Sequence, residues 1–317
     1  HRSRALEVPS APPVEAAEIP LLGRVAAGIP IEAISNPDTI SIPADWLGRL
    51  NYYRALGALP PVGESGSWGQ GAILHSRYVV KNDVITHTED PANPWYTPEG
   101  DAAGRNGNVM VSSQSSFSDA GAIDFWIAAP FHAVSLIDPQ LHSSGYGAYR
   151  EADGGWQMGA TLDALRGRGG APQGVSFPVA WPRGTGQLPL RYGGGESPDP
   201  LTSCPGYAAP TGLPLLLQLG TGEITPSVSA SSLTRDGQPV EHCRFDETSY
   251  TNPDGSAQST GRAVLGARDA IVIVPRQPLV VGSSYDASIT VDGQTHAWRF
   301  TVSAGTAPDA PGSLETR

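Results

Sequence analysis

Residues 118–132 read Ser-Asp-Ala-Gly-Ala-Ile-Asp-Phe-Trp-Ile-Ala-Ala-Pro-Phe-His, and they carry much of the information about the fold. The serine or the aspartate at the start is a suitable N-cap for a short helix over Ala120–Ala129. Pro130 interrupts a helix because its nitrogen has no hydrogen to donate. We therefore predict that the helix stops at Pro130 and that His132 lies just beyond it.

Two further helices are predicted before this stretch. Apolar residues recur at steps of three and four from Trp46 to Leu56, which predicts a helix that ends before Pro60. The same spacing after Ser67, a candidate N-cap, predicts a second helix. Its apolar face consists of Trp68, Ala72, His75 and Val79. We therefore expect His75 to pack inside.

The segment between the second and third helices is rich in Pro, Gly, Asn and Ser over residues 86–116, which predicts a long functional loop. His87 begins this loop, and His132 follows the third helix. Two imidazoles that face one cleft can bind zinc or transfer a proton near neutral pH; alternatively, each hydrogen-bonds to its own loop. The nearby acidic residues are expected to be solvated surface groups: Glu89, Asp90, Glu99 and Asp124.

Strand-like runs dominate the rest of the chain, and no helical period is visible after residue 200. Asp292-Gly293 separates two runs of alternating residues, which predicts a tight hairpin. Many short strands separated by turn residues indicate a β-sandwich. The predicted strands cover residues 146–151, 157–162, 175–180, 213–219, 240–245, 270–274, 285–291 and 297–302.

Composition and charge exclude several classes of protein. Glycine and proline make up about a fifth of the 317 residues and charged residues 16%, which excludes a coiled coil or a helical bundle. The net charge of −11 argues against binding to nucleic acid, and no apolar run is long enough to span a membrane. No nucleotide-binding glycine motif, phosphate loop or serine nucleophile elbow occurs.

The chain has two cysteines, Cys204 and Cys243. They are either two buried thiols or, in an exported protein, a disulfide. Closing the loop between them would stabilise the fold by about 3–4 kcal/mol.

Residues 50–193 resemble the CAP superfamily in its bacterial SCP-like branch. The resemblance rests on four stretches in order: Leu50–Pro60, Ala72–Asp83 followed by His87, Asp124–His132, and Asp138–Gly147. It implies an α-β-α sandwich whose central cleft commonly holds two histidines and two glutamates and in some members binds a divalent metal. His87 and His132 match the two histidines.

The acidic partners depart from the family pattern. Gly104-Arg105-Asn106 has arginine where the family often has glutamate, and Ile127 follows Trp126 where the second glutamate is expected. An arginine beside two histidines would repel a cation, so an anionic ligand or a structural cleft becomes more plausible. The cleft candidates are His87, His132, Arg105, Asn106, Glu89 and Trp126, and the candidate metal ligands are His87 and His132.

Residues 1–49 resemble a different family, the LexA self-cleaving repressors. Ile19–Ala33 is similar to their cleavage-site region, in which the bond cut would be Ala27–Gly28. Self-cleavage needs a serine and a lysine base, but the only lysine, Lys81, lies on the second CAP-like helix, so we expect no cleavage. The segment is either a reused strand or tether, or the result of joining two neighbouring genes, which we favour.

We therefore predict an α+β protein with four parts. An extended LexA-like segment (1–49) precedes a CAP-type α-β-α sandwich (50–200), an all-β Ig-like sandwich (201–305) that resembles modules found after bacterial CAP domains, and a disordered tail (306–317).

The leading functional hypothesis is an extracellular or cell-envelope protein that binds a ligand or mediates adhesion, without catalysis, through the cleft around His87 and His132. A metal-dependent hydrolase that uses the same histidines is the first alternative. The second is a LexA-type SOS repressor fragment fused or mis-assembled to a CAP protein. The expected partner is a small ligand, either a lipid, a glycan or a peptide, with zinc as the one cofactor considered and with no nucleic acid and no membrane span.

Overall fold

A computed structural model of the chain describes residues 42–303, apart from 153 and 171, and the backbone of two short strands before them. Those strands, β1 (Pro20–Leu21) and β2 (Asp38–Thr39), pair antiparallel within a unit that comprises His1–Ile42. The Ala27–Gly28 bond, the rest of the LexA-like segment before residue 42 and the predicted tail lie outside the described residues.

The second unit begins at Pro43 and contains all the other elements. Its first part, which we call the helical region (residues 43–170), has five helices and five strands. The helices are α1 (Trp46–Ala55), α2 (Gly66–Lys81), α3 (Pro98–Arg105), α4 (Asp119–Ala128) and α5 (Pro130–Leu136). The strands are β3 (Gly63–Glu64), β4 (Gly107–Ser112), β5 (Ser143–Ser144), β6 (Tyr146–Arg150) and β7 (Met158–Asp163).

An antiparallel sheet of three strands, in the order β4-β7-β6, lies at the centre of the helical region. On one face, Val109 and Val111 of β4 pack against Tyr78 and Val79 of α2. On the other face, Tyr146 of β6 contacts aromatic side chains of α1 and α4. The sheet is therefore covered by helices on both faces, as the predicted α-β-α sandwich requires.

Helix α2 lies unusually close to the sheet because glycines face it. A Cβ atom on Gly147 of β6 would clash with the backbone of Ile73, and one on Gly159 of β7 would lie 2.7 Å from the carbonyl oxygen of Ser76. The loop that carries His87 follows the end of α2 at Lys81. Because the glycines set the position of α2 on the sheet, they also set where this loop begins.

Two polar side chains of α1 connect the helix to distant backbone. The amide of Asn51 donates to the carbonyl of Val62 and accepts from its N–H. Arg54 is fully buried and donates to four carbonyl oxygens. These acceptors are Pro60 (3.0 Å), Leu136 (2.7 Å), Asp138 (2.9 Å) and Leu141 (3.1 Å). Burial lowers the pKa of Arg54 to about 10, so the side chain remains charged at neutral pH.

The β-sheet region (residues 172–303) contains the remaining strands, one 3-10 helix (Pro200–Ser203) and α6 (Gly255–Gly266). The strands are β8 (Val179–Trp181), β9 (Gly184–Gly186), β10 (Arg191–Tyr192), β11 (Thr211–Gly212), β12 (Leu215–Gln218), β13 (Val228–Arg235), β14 (Gln238–Pro239), β15 (His242–Phe245), β16 (Ala270–Pro275), β17 (Ser284–Val291) and β18 (Gln294–Val302). They form a four-stranded sheet, β15-β16-β12-β8, a five-stranded sheet, β14-β13-β17-β18-β9, and the pair β10-β11.

Burial along the strands shows how these two sheets are layered. Every residue of β16 is buried, whereas buried and partly exposed residues alternate along β17. The four-stranded sheet is thus covered on both faces, with α5 and α6 against it, and the five-stranded sheet has one face in solvent.

The helical and β-sheet regions share one hydrophobic core. The indole nitrogen of Trp181 donates to the carbonyl of Tyr53 (2.8 Å), and Arg268 forms a buried ion pair with Asp138 (2.9 Å). Phe131 of α5 packs against two aromatic rings of the β-sheet region. The strands β8 and β9 fall inside the predicted CAP domain (50–200) but pair with strands after residue 201.

The α+β class, the β-rich second part and the disulfide between Cys204 and Cys243 are confirmed. The Asp292-Gly293 hairpin also forms, with both residues at positive φ. The Ig-like arrangement stays a prediction.

Helix α4 ends at Ala128, before Pro130, as predicted. Other local predictions are wrong. A further helix, α5, begins at Pro130 and contains His132, because a proline in the first turn of a helix has no hydrogen bond to lose. The segment 86–116 contains α3 and β4, and α6 occurs where no helix was expected. Helix α2 begins at Gly66, so Ser67 is not its cap.

We expect Arg54→Lys to lower the free energy of unfolding by about 2–5 kcal/mol, because an ammonium group reaches fewer carbonyls and each buried carbonyl left unpaired costs about 1–3 kcal/mol. Urea denaturation measures the loss. Arg191→Lys, at an exposed position, is the control and should change stability by less than about 0.5 kcal/mol. Equal stability of the two variants would contradict the role of Arg54.

Burial raises the pKa of Asp124 to about 6, against the opposing effects of Arg49 and of the hydroxyl of Tyr53. Since the folded-state pKa exceeds the unfolded value of 3.8, protonation stabilises the fold at low pH, and this contribution is lost as the pH rises through 6. As the pH rises from about 4.5 to about 7.5, the natural chain loses this contribution and Asp124→Asn does not. We therefore expect the free energy of unfolding of Asp124→Asn, measured by urea denaturation, to rise by about 2 kcal/mol relative to that of the natural chain over this range. The exposed Glu99→Gln should show no such trend.

Candidate functional site

His87 lies in the exposed loop after α2, close to the end of α3. Its Nδ1 atom is 3.0 Å from the carbonyl oxygen of Gly104. Because a carbonyl only accepts, Nδ1 carries the hydrogen and donates it. The neutral ring therefore has its lone pair on Nε2.

His132 is the third residue of α5 and is held by a carboxylate that no pattern in the sequence predicts. Its Nδ1 is 2.6 Å from Oε1 of Glu196, and its backbone N–H donates to the same oxygen at 2.9 Å. The side chain of Glu196 is fully buried, whereas that of His132 is 14% exposed. We call His87, His132 and Glu196 the histidine site.

The two imidazoles have the same arrangement. Each has Nδ1 facing an acceptor, and the backbone of Gly107 also lies close enough to His87 to raise its pKa. A histidine whose Nδ1–H is held by a carbonyl or a carboxylate leaves Nε2 as the nitrogen that meets a ligand.

Electrostatics connect these residues. Desolvation lowers the pKa of His87, and a positive charge on His132 or His75 lowers it further, so the two rings of the histidine site lie within electrostatic reach. Burial raises the pKa of Glu196, and its hydrogen bond with His132 opposes that effect. His87 is therefore uncharged at neutral pH, whereas the buried carboxylate of Glu196 has an imidazole as its partner.

Glu89 belongs to a separate buried pair. Its Oε1 is 3.0 Å from Nδ1 of His75, and its Oε2 accepts from the N–H of Thr97. Nε2 of His75 faces the carbonyl of Thr86 at 2.8 Å. Glu89 therefore ties the loop to α2.

The solvation predicted for Glu89 and Asp124 is wrong, because both are buried, with 4% and 3% exposure. It is confirmed for Asp90 and Glu99, which are exposed.

The other candidates lie elsewhere. Arg105 is exposed and paired with Asp101 (2.7 Å) along α3, so its charge already has a partner. Asn106 donates to the carbonyl of Ala102. Trp126 is fully buried and packs edge-on against Tyr146 as part of the core.

The lysine that a LexA-like mechanism would require lies at the end of α2. Lys81 pairs with Glu151, and its ammonium group lies 5.2 Å from the ring centroid of Trp95. An ammonium group held by a carboxylate is stabilised in its charged form, which is unsuited to a general base.

A metal at this site would rest on two histidines. Among the described residues, no group of three or more His, Cys, Asp or Glu side chains is placed to hold an ion. The Nε2 atoms of His87 and His132 suit zinc, and their Nδ1 partners supply the outer hydrogen bonds that zinc-binding histidines usually have. The assignment of these two residues as metal ligands stays a prediction.

Glu196 could have been noticed in the sequence. It is the only charged residue between Arg191 and Asp199, and it follows three consecutive glycines. A single acid after a flexible glycine run that then becomes buried is a candidate partner for a histidine or an arginine. What the sequence does not contain is a pattern linking Glu196 to His132, because 64 residues separate them.

Helices cover both faces of the central sheet, which defines an α-β-α protein. The pair of histidines defines its candidate binding site. Residues 47–158 match the family described as CAP: Cysteine-rich secretory protein family. Glu196 lies outside the matched residues.

Comparison with solved structures finds an extracellular protein containing a SCP domain from Bacillus anthracis str. Ames. The two chains are 18% identical with a TM-score of 0.30, and the alignment covers 38% of this chain and 39% of that one. This chain thus matches less than half of the length of that protein.

No curated protein gives a significant match. Among the helices of the described residues, none has both the length and the apolar character needed to cross a bilayer.

We expect the pKa of His87 to lie below the usual histidine value of about 6.5 and to rise in His132→Ala, because that substitution removes one repelling charge. A pH titration of the imidazole signals by NMR measures both effects. The matched control is His142→Ala, because the ring of His142 hydrogen-bonds to the carbonyl of Gly170. This substitution should leave the pKa of His87 unchanged. An unaltered pKa in His132→Ala would show that the two rings are not coupled.

Proposed function

We propose that the chain is an extracellular or cell-envelope protein that binds a ligand, without turning it over, in a cleft that carries His87 and His132. One observation carries the proposal: two imidazoles on separate elements lie within electrostatic reach, and each has its Nδ1 held by an acceptor of the protein. Rings held in this way are organised for binding before the ligand arrives, which lowers the entropy lost on binding.

The chemistry of the pair favours a ligand with polar hydrogens. The uncharged His87 offers a lone pair at Nε2, which accepts from a hydroxyl or an amide N–H. His132, with its carboxylate partner, can accept in the same way or donate when protonated. Hydroxyls occur in glycans and N–H groups in peptides, so these two classes fit the pair better than the hydrocarbon part of a lipid.

The extracellular assignment has two supports. The disulfide between Cys204 and Cys243 is of a kind that persists in oxidising surroundings. The family whose model matches residues 47–158 is described as a secretory protein family.

A metal-dependent hydrolase is the second candidate, and the pairing of His132 with Glu196 is the observation that favours it. A carboxylate on Nδ1 is the usual outer partner of a zinc-binding histidine, and it also orients a histidine that acts as a general base. Zinc bound through two Nε2 atoms would keep open positions for water and substrate.

Zinc titration by calorimetry on the full chain separates the two candidates. The metal enzyme requires zinc binding in the natural chain and its loss in both His87→Ala and His132→Ala, with His142→Ala unaffected. If the site binds its ligand without a metal, the natural chain should bind no zinc at this site. Any zinc that does bind should then bind with the same affinity in all three variants.

Direct binding tests the leading proposal. The imidazole NMR signals of the full chain are recorded with a pool of soluble cell-wall oligosaccharides and, separately, with a pool of random hexapeptides. We expect one pool to shift the signals of His87 and His132 but not those of His142, and the shifts to disappear in His132→Ala. Identical spectra with and without both pools would overturn the proposal.

A further inference from the structure

We infer that Glu196 is a positioning residue for His132: it fixes which ring nitrogen faces the ligand and thereby makes the site a joint product of the helical and β-sheet regions. The ligand part of this inference rests on the proposed function. The geometric part does not, because it concerns the ring of His132 in the free protein.

The contact itself is specific. Oε1 of Glu196 accepts from both Nδ1 and the backbone N–H of His132, at 2.6 and 2.9 Å. One oxygen thus holds the ring and the backbone of the same residue, which restricts rotation about the side-chain bonds. A ring flipped by 180° would turn Nδ1 away from the oxygen and leave a buried carboxylate without this donor, which is costly.

The carboxylate also selects the tautomer. Neutral histidine in water favours a hydrogen on Nε2, but a carboxylate at Nδ1 favours the form with a hydrogen there. Because the Glu196 side chain is fully buried, water does not weaken this charge-assisted hydrogen bond. Nε2 of His132 is therefore the nitrogen with the free lone pair.

The backbone around Glu196 is built to deliver the side chain. Gly194 and Gly195 have φ values of 92° and 87°, which residues other than glycine rarely adopt. They turn the chain immediately before Glu196. The N–H of Glu196 then donates to the hydroxyl of the buried Tyr192 at 3.2 Å.

The segment is anchored on both sides. Before the glycines, β10 pairs with β11. After Glu196, the hydroxyl of Tyr250 donates to the carbonyl of Asp199 at 2.9 Å, and Cys204 forms the disulfide with Cys243. Glu196 is therefore presented by a short, fixed segment of the β-sheet region.

The carboxylate that holds His132 comes from outside the residues that match a known family. Residues 47–158 match the CAP family, and Glu196 lies 38 residues beyond the end of that match. The partner of His132 thus comes from a part of the chain that the family match does not cover.

The test is the tautomer of His132 in the full chain, labelled with ¹⁵N at histidine and free of ligand and metal. Long-range ¹H–¹⁵N NMR spectra distinguish a hydrogen on Nδ1 from one on Nε2. We expect the Nδ1–H form in the natural chain and a shift toward Nε2–H in Glu196→Ala. Glu196→Gln should restore the Nδ1–H form, because its amide oxygen still accepts. The exposed Glu241→Ala, whose carboxylate pairs with Arg276, is the matched control and should leave His132 unchanged.

Several outcomes would overturn the inference. One is the Nε2–H form of His132 in the natural chain, and another is the same spectrum in Glu196→Ala as in the natural chain. If Glu196→Ala fails to fold, the natural chain and Glu196→Gln still decide, since both must show a hydrogen on Nδ1. A loss of structure without any role in positioning would change the signals of His142 as well.

The outcome is independent of the proposed function. The tautomer is read without any ligand, so a failure of the oligosaccharides, the hexapeptides and zinc to bind leaves it intact. If zinc does bind at His87 and His132, Glu196→Ala should weaken its affinity by about 10- to 100-fold, which a carboxylate unrelated to His132 would not do.

Discussion

The buried guanidinium group of Arg54 is the contact on which the arrangement of the helical region depends. It joins the end of α1 to the end of α5 and to the chain that leads into β5, by donating to four carbonyl oxygens. Because α5 carries His132, the position of that histidine is set partly from α1, about 80 residues earlier in the chain. Asp138, whose carbonyl accepts from Arg54, also pairs with Arg268 through its carboxylate, so the same point fixes the β-sheet region.

How much the sequence predicts follows from whether the decisive contact is local. The helices α1, α2 and α4 were predicted because their apolar spacing, or a cap and a proline nearby, lies within a few residues. Helix α6 was missed because only Gly261 and Leu265 of its residues are buried, which leaves almost no apolar period to detect. Pro130 marks the end of α4 as predicted, but α5 was not expected, because the same ring that ends one helix is well suited to begin another.

The candidate site follows the same rule. His87 and His132 could be proposed from the sequence because His87 begins the polar loop after α2 and His132 follows the predicted third helix. Glu196 was not, because its contact with His132 depends on the turn made by Gly194 and Gly195 and on the packing of the β-sheet region. Two histidine–carboxylate pairs result, with different surroundings: His75 and Glu89 are sealed from solvent, whereas His132 keeps part of its ring exposed. The first pair ties a loop to α2, and the second remains partly open to solvent.

The shared core of the helical and β-sheet regions has a mechanical consequence. A flexible spacer absorbs torque at a hinge, but here any rotation between the regions would separate Trp181 from Tyr53 and Phe131 from Phe245. A pull applied at the end of β18 would therefore be transmitted to the histidine site as through one solid body. A ligand held at the histidine site would therefore keep a single orientation relative to the end of β18.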